Sequence, residues 1–285
     1  MHELLHSLEH SFLDSIKLIP FLFIAFLIIE LIEHKLSNKS KKIISKSGKF
    51  GPVLGSLLGL IPQCGFSVVA TNLYVTRIVS LGTLISIYLS TSDEMLIILL
   101  TKNASMSTIL PLLGVKFLVG MISGFIIDFA LRNKKKTKET FNICEDEHCG
   151  CEHEENLFKS SLIHTLKTFI FIFIATFIIT YVFELFGEEY LSKLLLKDTL
   201  LSPFITSLIG LIPNCASSVI LTELYLSNSI NFASIISGLL TGSGVAILVL
   251  FKSNKNLKEN MTILGLVYGI GVITGIIITL LSYII

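Results

Sequence analysis

Tryptophan is absent from this 285-residue chain, charged residues make up only 15% of it, and there are just 6 prolines. Roughly a quarter of a soluble domain is charged, so so little charge argues against that class. Without tryptophan, an aromatic belt at a membrane interface would have to come from the 20 phenylalanines and 7 tyrosines. No basic excess exists either: 22 Lys and Arg against 21 Asp and Glu leave a net charge of +1, which gives nucleic-acid binding no support. The chain has no Gly-rich loop ending in Gly-Lys-Ser/Thr, so ATP-driven pumping by this chain alone is not expected. The first residues, MHELLHSLEHSF, lack the basic region of a cleavable signal.

What is present is apolar. Hydrophobic residues reach 52% and the mean hydropathy is +0.79. Charge is missing altogether from Leu18–Ile29, Phe50–Thr76, Thr168–Phe183 and Met261–Ile285. A bilayer core of ~30 Å is crossed by about 20 apolar helical residues. The expected class is therefore an all-α polytopic membrane protein with about 8–10 membrane segments.

The second feature is a repeat. GLIPQCGFSVVATNLY, Gly59 to Tyr74, returns 151 positions later as GLIPNCASSVILTELY, Gly210 to Tyr225. From Ser56 to Tyr74, 12 of 19 positions are identical to their counterparts. The register then holds without a gap, matching Ser86 with Ser237, Gly114 with Gly265, Gly120 with Gly271 and Gly124 with Gly275. The chain thus divides into a first transmembrane repeat (1–131), a polar linker (132–160) and a second repeat (161–285).

Loop charge orients the repeats. Lys35, Lys39, Lys41, Lys42, Lys46 and Lys49 place the first loop in the cytoplasm, and Arg132, Lys134, Lys135, Lys136 and Lys138 place the linker there too. The matching loop of the second repeat, with Glu188, Glu189, Lys193, Lys197 and Asp198, has no positive excess and reads as external. The expectation is a pair of inverted-topology repeats in the cell membrane, with both termini external. Pro62 and Pro213 each remove a backbone donor, so broken or re-entrant helices are expected there. Such backbone survives at membrane depth only where protein buries it or water reaches it.

Around the breaks lie the polar residues that could bind an ion: Gln63, Cys64 and Asn72, then Asn214, Cys215 and Glu223. The next apolar run carries Ser92, Asp93 and Glu94, whose counterparts Ser243, Gly244 and Val245 lack the acids. Carboxyls at that depth are costly and should face a cavity or a cation. Thiolates suit zinc or cadmium, while carboxylates and amides suit manganese, magnesium or calcium; the mix excludes none of them. Set against this, a cysteine in a membrane helix is ordinarily a small packing residue. The linker gathers Cys144, His148, Cys149, Cys151 and His153 among six acids at 145–155, a set of soft ligands without a zinc-finger frame. His2, His6 and His10 form a row at helical spacing.

At Gly59–Gly65, Thr91–Glu94, Gly210–Cys215 and the Cys/His-rich linker, the sequence resembles the family of ten-span heavy-metal exporters, also called manganese transporters, distant neighbours of the arsenical permeases. The resemblance covers nearly the whole chain. It implies metal efflux at the cell membrane and five spans per repeat.

The leading expectation is a secondary-active transporter, not an enzyme, that exports a divalent, manganese-like heavy metal in exchange for protons. Its expected partners are the bilayer, the metal ion, protons and a second copy of the chain as a homodimer, with no cofactor. Two other readings stay open. One is an anion or small-solute carrier using the helix N-termini after each break. The other is an intramembrane enzyme, which the lack of a histidine in the expected core disfavours.

Overall fold

The computed structural model describes residues 50–92, 94–131, 157–186 and 201–284, together with positions 8, 15, 16, 18–20, 22–24, 26 and 27. Its regular elements are all helical, with no strand among the described residues. The first series is α1 (Gly51–Gly59), α2 (Cys64–Val75), α3 (Leu81–Ser90), α4 (Met95–Thr101) and α5 (Met106–Leu131). After α6 (Leu157–Phe186) the series recurs as α7 (Ser202–Gly210), α8 (Cys215–Leu226), α9 (Phe232–Thr241), α10 (Ala246–Ser253) and α11 (Leu257–Ile284).

Local chemistry explains why both series break at the same places. α1 and α7 each hold a proline in the first turn, where its missing N–H has no helical partner to lose. They end before Pro62 and Pro213, across which the chain makes the same tight turn. The Gln63 N–H donates to the Ile61 carbonyl and the Asn214 N–H to the Ile212 carbonyl, both at 2.7 Å. α2 and α8 end alike. Arg77 and Asn228 take left-handed backbone, with φ of 61° and 57°. The following N–H groups, of Ile78 and Ser229, reach back to Leu73 and Leu224 at 2.8 Å, closing a Schellman motif in each copy. Ser80 and Asn231 then cap α3 and α9 by accepting from Thr83 and Ser234 N–H groups.

Among the described residues, five stretches are long and apolar enough to cross a membrane: Leu81–Thr101, Met106–Leu131, Ser161–Tyr181, Phe232–Ser253 and Leu257–Tyr283. The first and fourth are broken spans, α3 with α4 and α9 with α10, and 71% and 83% of them is buried against 28–33% of the other three. The broken spans therefore form the centre and the unbroken ones the periphery. Outward faces of the unbroken helices are apolar, with Ile122, Ile126 and Phe129 on α5, Ile170, Ile174 and Ile178 on α6, and Ile273 and Ile277 on α11 exposed. A surface of that kind faces lipid rather than water. The chain is a multi-pass membrane protein.

Small residues let the central helices approach. A methyl on Gly120 would sit 2.8 Å from the Ser86 carbonyl, and one on its counterpart Gly271 3.0 Å from the Ser237 carbonyl. Gly59 and Gly210 are as tight, 2.8 Å from the Ile87 carbonyl and 2.0 Å from that of Gly238. This close packing of small residues is how membrane helices associate without a hydrophobic drive between them. The short helices cross between copies: α2 packs on α10 and α8 on α4. That exchange brings the two proline breaks together.

Candidate functional site

The chain leaves each proline break in extended conformation, at Gln63 and Asn214, and the next residue opens a helix. Those next residues are Cys64 and Cys215. Their sulfurs lie 3.3 Å apart, in hydrogen-bonding rather than covalent contact, so the N-terminal ends of α2 and α8 meet at a thiol pair. Each cysteine carbonyl also accepts a hydroxyl one turn on, from Ser67 and from Ser218, both at 2.8 Å.

A cavity of about 230 Å³ opens beside the pair. The breaks supply Pro62, Gln63, Cys64, Asn214 and Cys215; Glu94 and Ile97 come from the start of α4, and Thr176 from α6. Ser15, from the helical residues near the N-terminus, also faces it, with a buried hydroxyl that has no hydrogen-bond partner. Among the described residues, no histidine lines this cavity. His164 is buried elsewhere on α6, stacked on Phe26.

The two amides behave differently. Asn214 uses its side-chain oxygen to cap α8, accepting from the Ala216 N–H at 3.1 Å, and donates its NH₂ group to Thr180 at 2.8 Å. Gln63, one methylene longer, makes no such cap on α2.

Of the expected site residues, Gln63, Cys64, Glu94, Asn214 and Cys215 therefore converge on one cavity. Ser92 lies just behind it, buried at the break of the first broken span, where its N–H donates to the Gly59 carbonyl at 3.1 Å. Asn72 sits about two turns along α2, fully buried, and neither polar atom of its amide has a hydrogen-bond partner. Glu223 does not line the cavity. It is half exposed on α8, with a carboxylate oxygen 3.9 Å from Lys102. Asp93, the five linker ligands Cys144, His148, Cys149, Cys151 and His153, and the row His2, His6 and His10 lie outside the described residues. Among the described residues, no three His, Cys, Asp or Glu side chains gather closely enough to hold a metal ion. Cys64, Cys215 and Glu94 share the wall without closing a ligand set.

Two features escaped the sequence reading. Lys116, on α5, is 1% exposed, although it stands alone among apolar neighbours from Ile109 to Ile127. Its ammonium donates to two backbone carbonyls, Thr91 at the end of α3 and Leu239 in the last turn of α9, the latter at 2.9 Å. The second is a clamp between the copies. Arg77, in the turn after α2, grips Glu259, in the first turn of α11, with two hydrogen bonds of 2.5 and 2.9 Å, and Tyr74 donates to the same carboxylate. Hydrogen bonding to Glu259 raises the Arg77 pKa above its ordinary value. The lone lysine could have been flagged from its setting; the clamp joins residues 182 apart in sequence and could not.

A family model matches residues 2–187 and 168–283, that of ArsP_2, described as “Putative, 10TM heavy-metal exporter”. No curated protein and no solved structure matches the chain.

Proposed function

The chain belongs to this 10TM heavy-metal exporter family, and on that premise we propose that it is a secondary-active transporter exporting a divalent heavy-metal ion across the cell membrane in exchange for protons. The observation that carries the reading is the thiol pair. Two sulfurs 3.3 Å apart, one from each copy, stand on a cavity whose wall also bears the Glu94 carboxyl. Sulfur ligands favour the softer divalent ions, zinc and cadmium, over manganese, and Glu94 keeps manganese within reach. The Asp93 carboxyl, next in sequence to Glu94, completes the ligand set on this reading.

Proton exchange follows from the ligands themselves. Thiols and carboxyls must be deprotonated to ligate, so an arriving ion releases protons and a departing ion takes them back. The two copies lie in opposite orientations on this reading, with the linker in the cytoplasm and its Cys144, His148, Cys149, Cys151 and His153 delivering metal to the inner opening. Reciprocal packing of α2 on α10 and α8 on α4 supports a two-fold relation between the copies.

The test is a proteoliposome flux panel across manganese, zinc, cadmium, cobalt and arsenite. Asp93→Asn, Cys64→Ser and Cys215→Ser are expected to lose divalent flux, the serine variants most for cadmium and zinc. Divalent flux unchanged in all three would defeat the reading. A second reading draws on the helix ends: α2 and α8 both present N-termini at the cavity, which suits an anion. Oxyanion uptake that needs no divalent metal is its signature, and Glu94 on the same wall weighs against it.

A further inference from the structure

Lys116 plays no part in the reading above, yet an ammonium is the least expected group in a buried stretch of a membrane helix. Removing it from water is costly unless fixed dipoles or charges compensate. Part of that compensation lies at two helix ends. Thr91 is the C-cap of α3, and Leu239 belongs to the last turn of α9, so both carbonyls are among the groups a helix leaves without an internal partner. Helix C-termini carry partial negative charge. Where spans are broken within a membrane, such ends are the places that coordinate small coupling cations.

The arrangement spans both copies. α3 comes from the first series and α9 from the second, at matching positions, and Lys116 reaches both from α5. Its counterpart on α11 is Val267, also fully buried, so one cation serves both helix ends. Four residues beyond Leu239, the Ser243 hydroxyl is buried with no hydrogen-bond partner, so further polar capacity stands beside the same helix end.

We propose that Lys116 is a resident cation: its ammonium fills a carbonyl-lined site for a small monovalent cation between the ends of α3 and α9, ties the two copies together, and makes the protein independent of alkali ions. Emptied of its lysine, that site has the chemistry to take sodium, lithium or methylammonium. The assignment does not rest on which substrate the thiol cavity carries.

The test uses purified full-length protein and its melting temperature in sodium, methylammonium or choline chloride at equal ionic strength. Wild type is expected to melt at the same temperature in all three. Lys116→Ala is expected to melt lower in choline and to regain much of the loss in sodium or methylammonium. Lys116→Met, which fills the space without charge, is expected to melt lower and regain nothing. A Lys116→Ala protein indifferent to the cation would overturn the proposal, as would a Lys116→Met protein as stable as wild type. Should neither variant fold, wild type decides: stabilisation by sodium over choline would show that the lysine does not already fill the site.

Discussion

The two copies of the helical series share a frame and differ in charge. The helix boundaries and breaks recur from Gly51 to Leu131 and from Ser202 to Ile284, down to the 2.7 Å turns over Pro62 and Pro213 and the left-handed turns at Arg77 and Asn228. The Asp, Glu, Lys and Arg residues do not coincide. Where the first copy has Arg77, Glu94 and Lys116, the second has Asn228, Val245 and Val267. Glu223 reverses the pattern, standing opposite Asn72, and it lies half exposed near Lys102 rather than at the cavity. Duplicated positions thus hold the backbone, while unmatched positions hold the charge. A buried charge is costly wherever it occurs, so doubling one without a task would weaken the fold.

That contrast can be tested, beginning with its largest expected effect. Glu94→Gln should cut divalent-metal flux tenfold or more, whereas Val245→Thr, at the matching position on the same cavity, should leave flux within about twofold; the energies are those of losing a charged ligand against an uncharged wall. Equal losses would mean that the copies contribute alike.

The shared frame makes the next prediction. Gly59→Ala and Gly210→Ala should each destabilise by about 1–3 kcal/mol, since the new methyl meets backbone that cannot step aside. Gly114→Ala and Gly265→Ala meet nothing within 4 Å and should be neutral or stabilise by about 0.5–1 kcal/mol as helix-interior changes. Thermal unfolding of the four variants checks this, and it is sharpened if members of each pair agree with one another.

Mild oxidation should join Cys64 to Cys215, because their sulfurs already touch. In a chain cleaved within the linker, that bond would hold the halves together on a denaturing gel until reductant is added. Failure to cross-link would separate the two proline breaks.

The smallest effects belong to the clamps. Glu259→Gln should cost about 1 kcal/mol, the upper range for a partly exposed ion pair with bidentate geometry, and Glu223→Gln only a few tenths, about the value of an exposed pair at long range. The difference would appear as a larger fall in melting temperature for the first variant.

Much of the frame was legible because proline breaks are local chemistry and the repeat displayed them twice. Gln63, Cys64, Asn214 and Cys215 could be picked out by recurrence alone, and Glu94 by the cost of a carboxyl in an apolar run. What recurrence could not show is that the two cysteines touch each other. Lys116 was passed over for a related reason: two of its partners are backbone carbonyls 25 and 123 residues away, and a carbonyl leaves no mark in a sequence. Glu223 stood out in the sequence as a carboxyl within the repeated motif, and the structure sets it half exposed near Lys102, away from the cavity.

The two amides at the breaks show how small a change alters what a side chain does in the frame. Asn214 is short enough to fold back on its own helix and also reach Thr180, so both ends of its side chain are committed to architecture. Adding one CH₂ at the equivalent place gives Gln63, which caps nothing and stands at the cavity. One methylene is therefore enough to turn an amide that holds its own break in shape into one that faces the cavity instead.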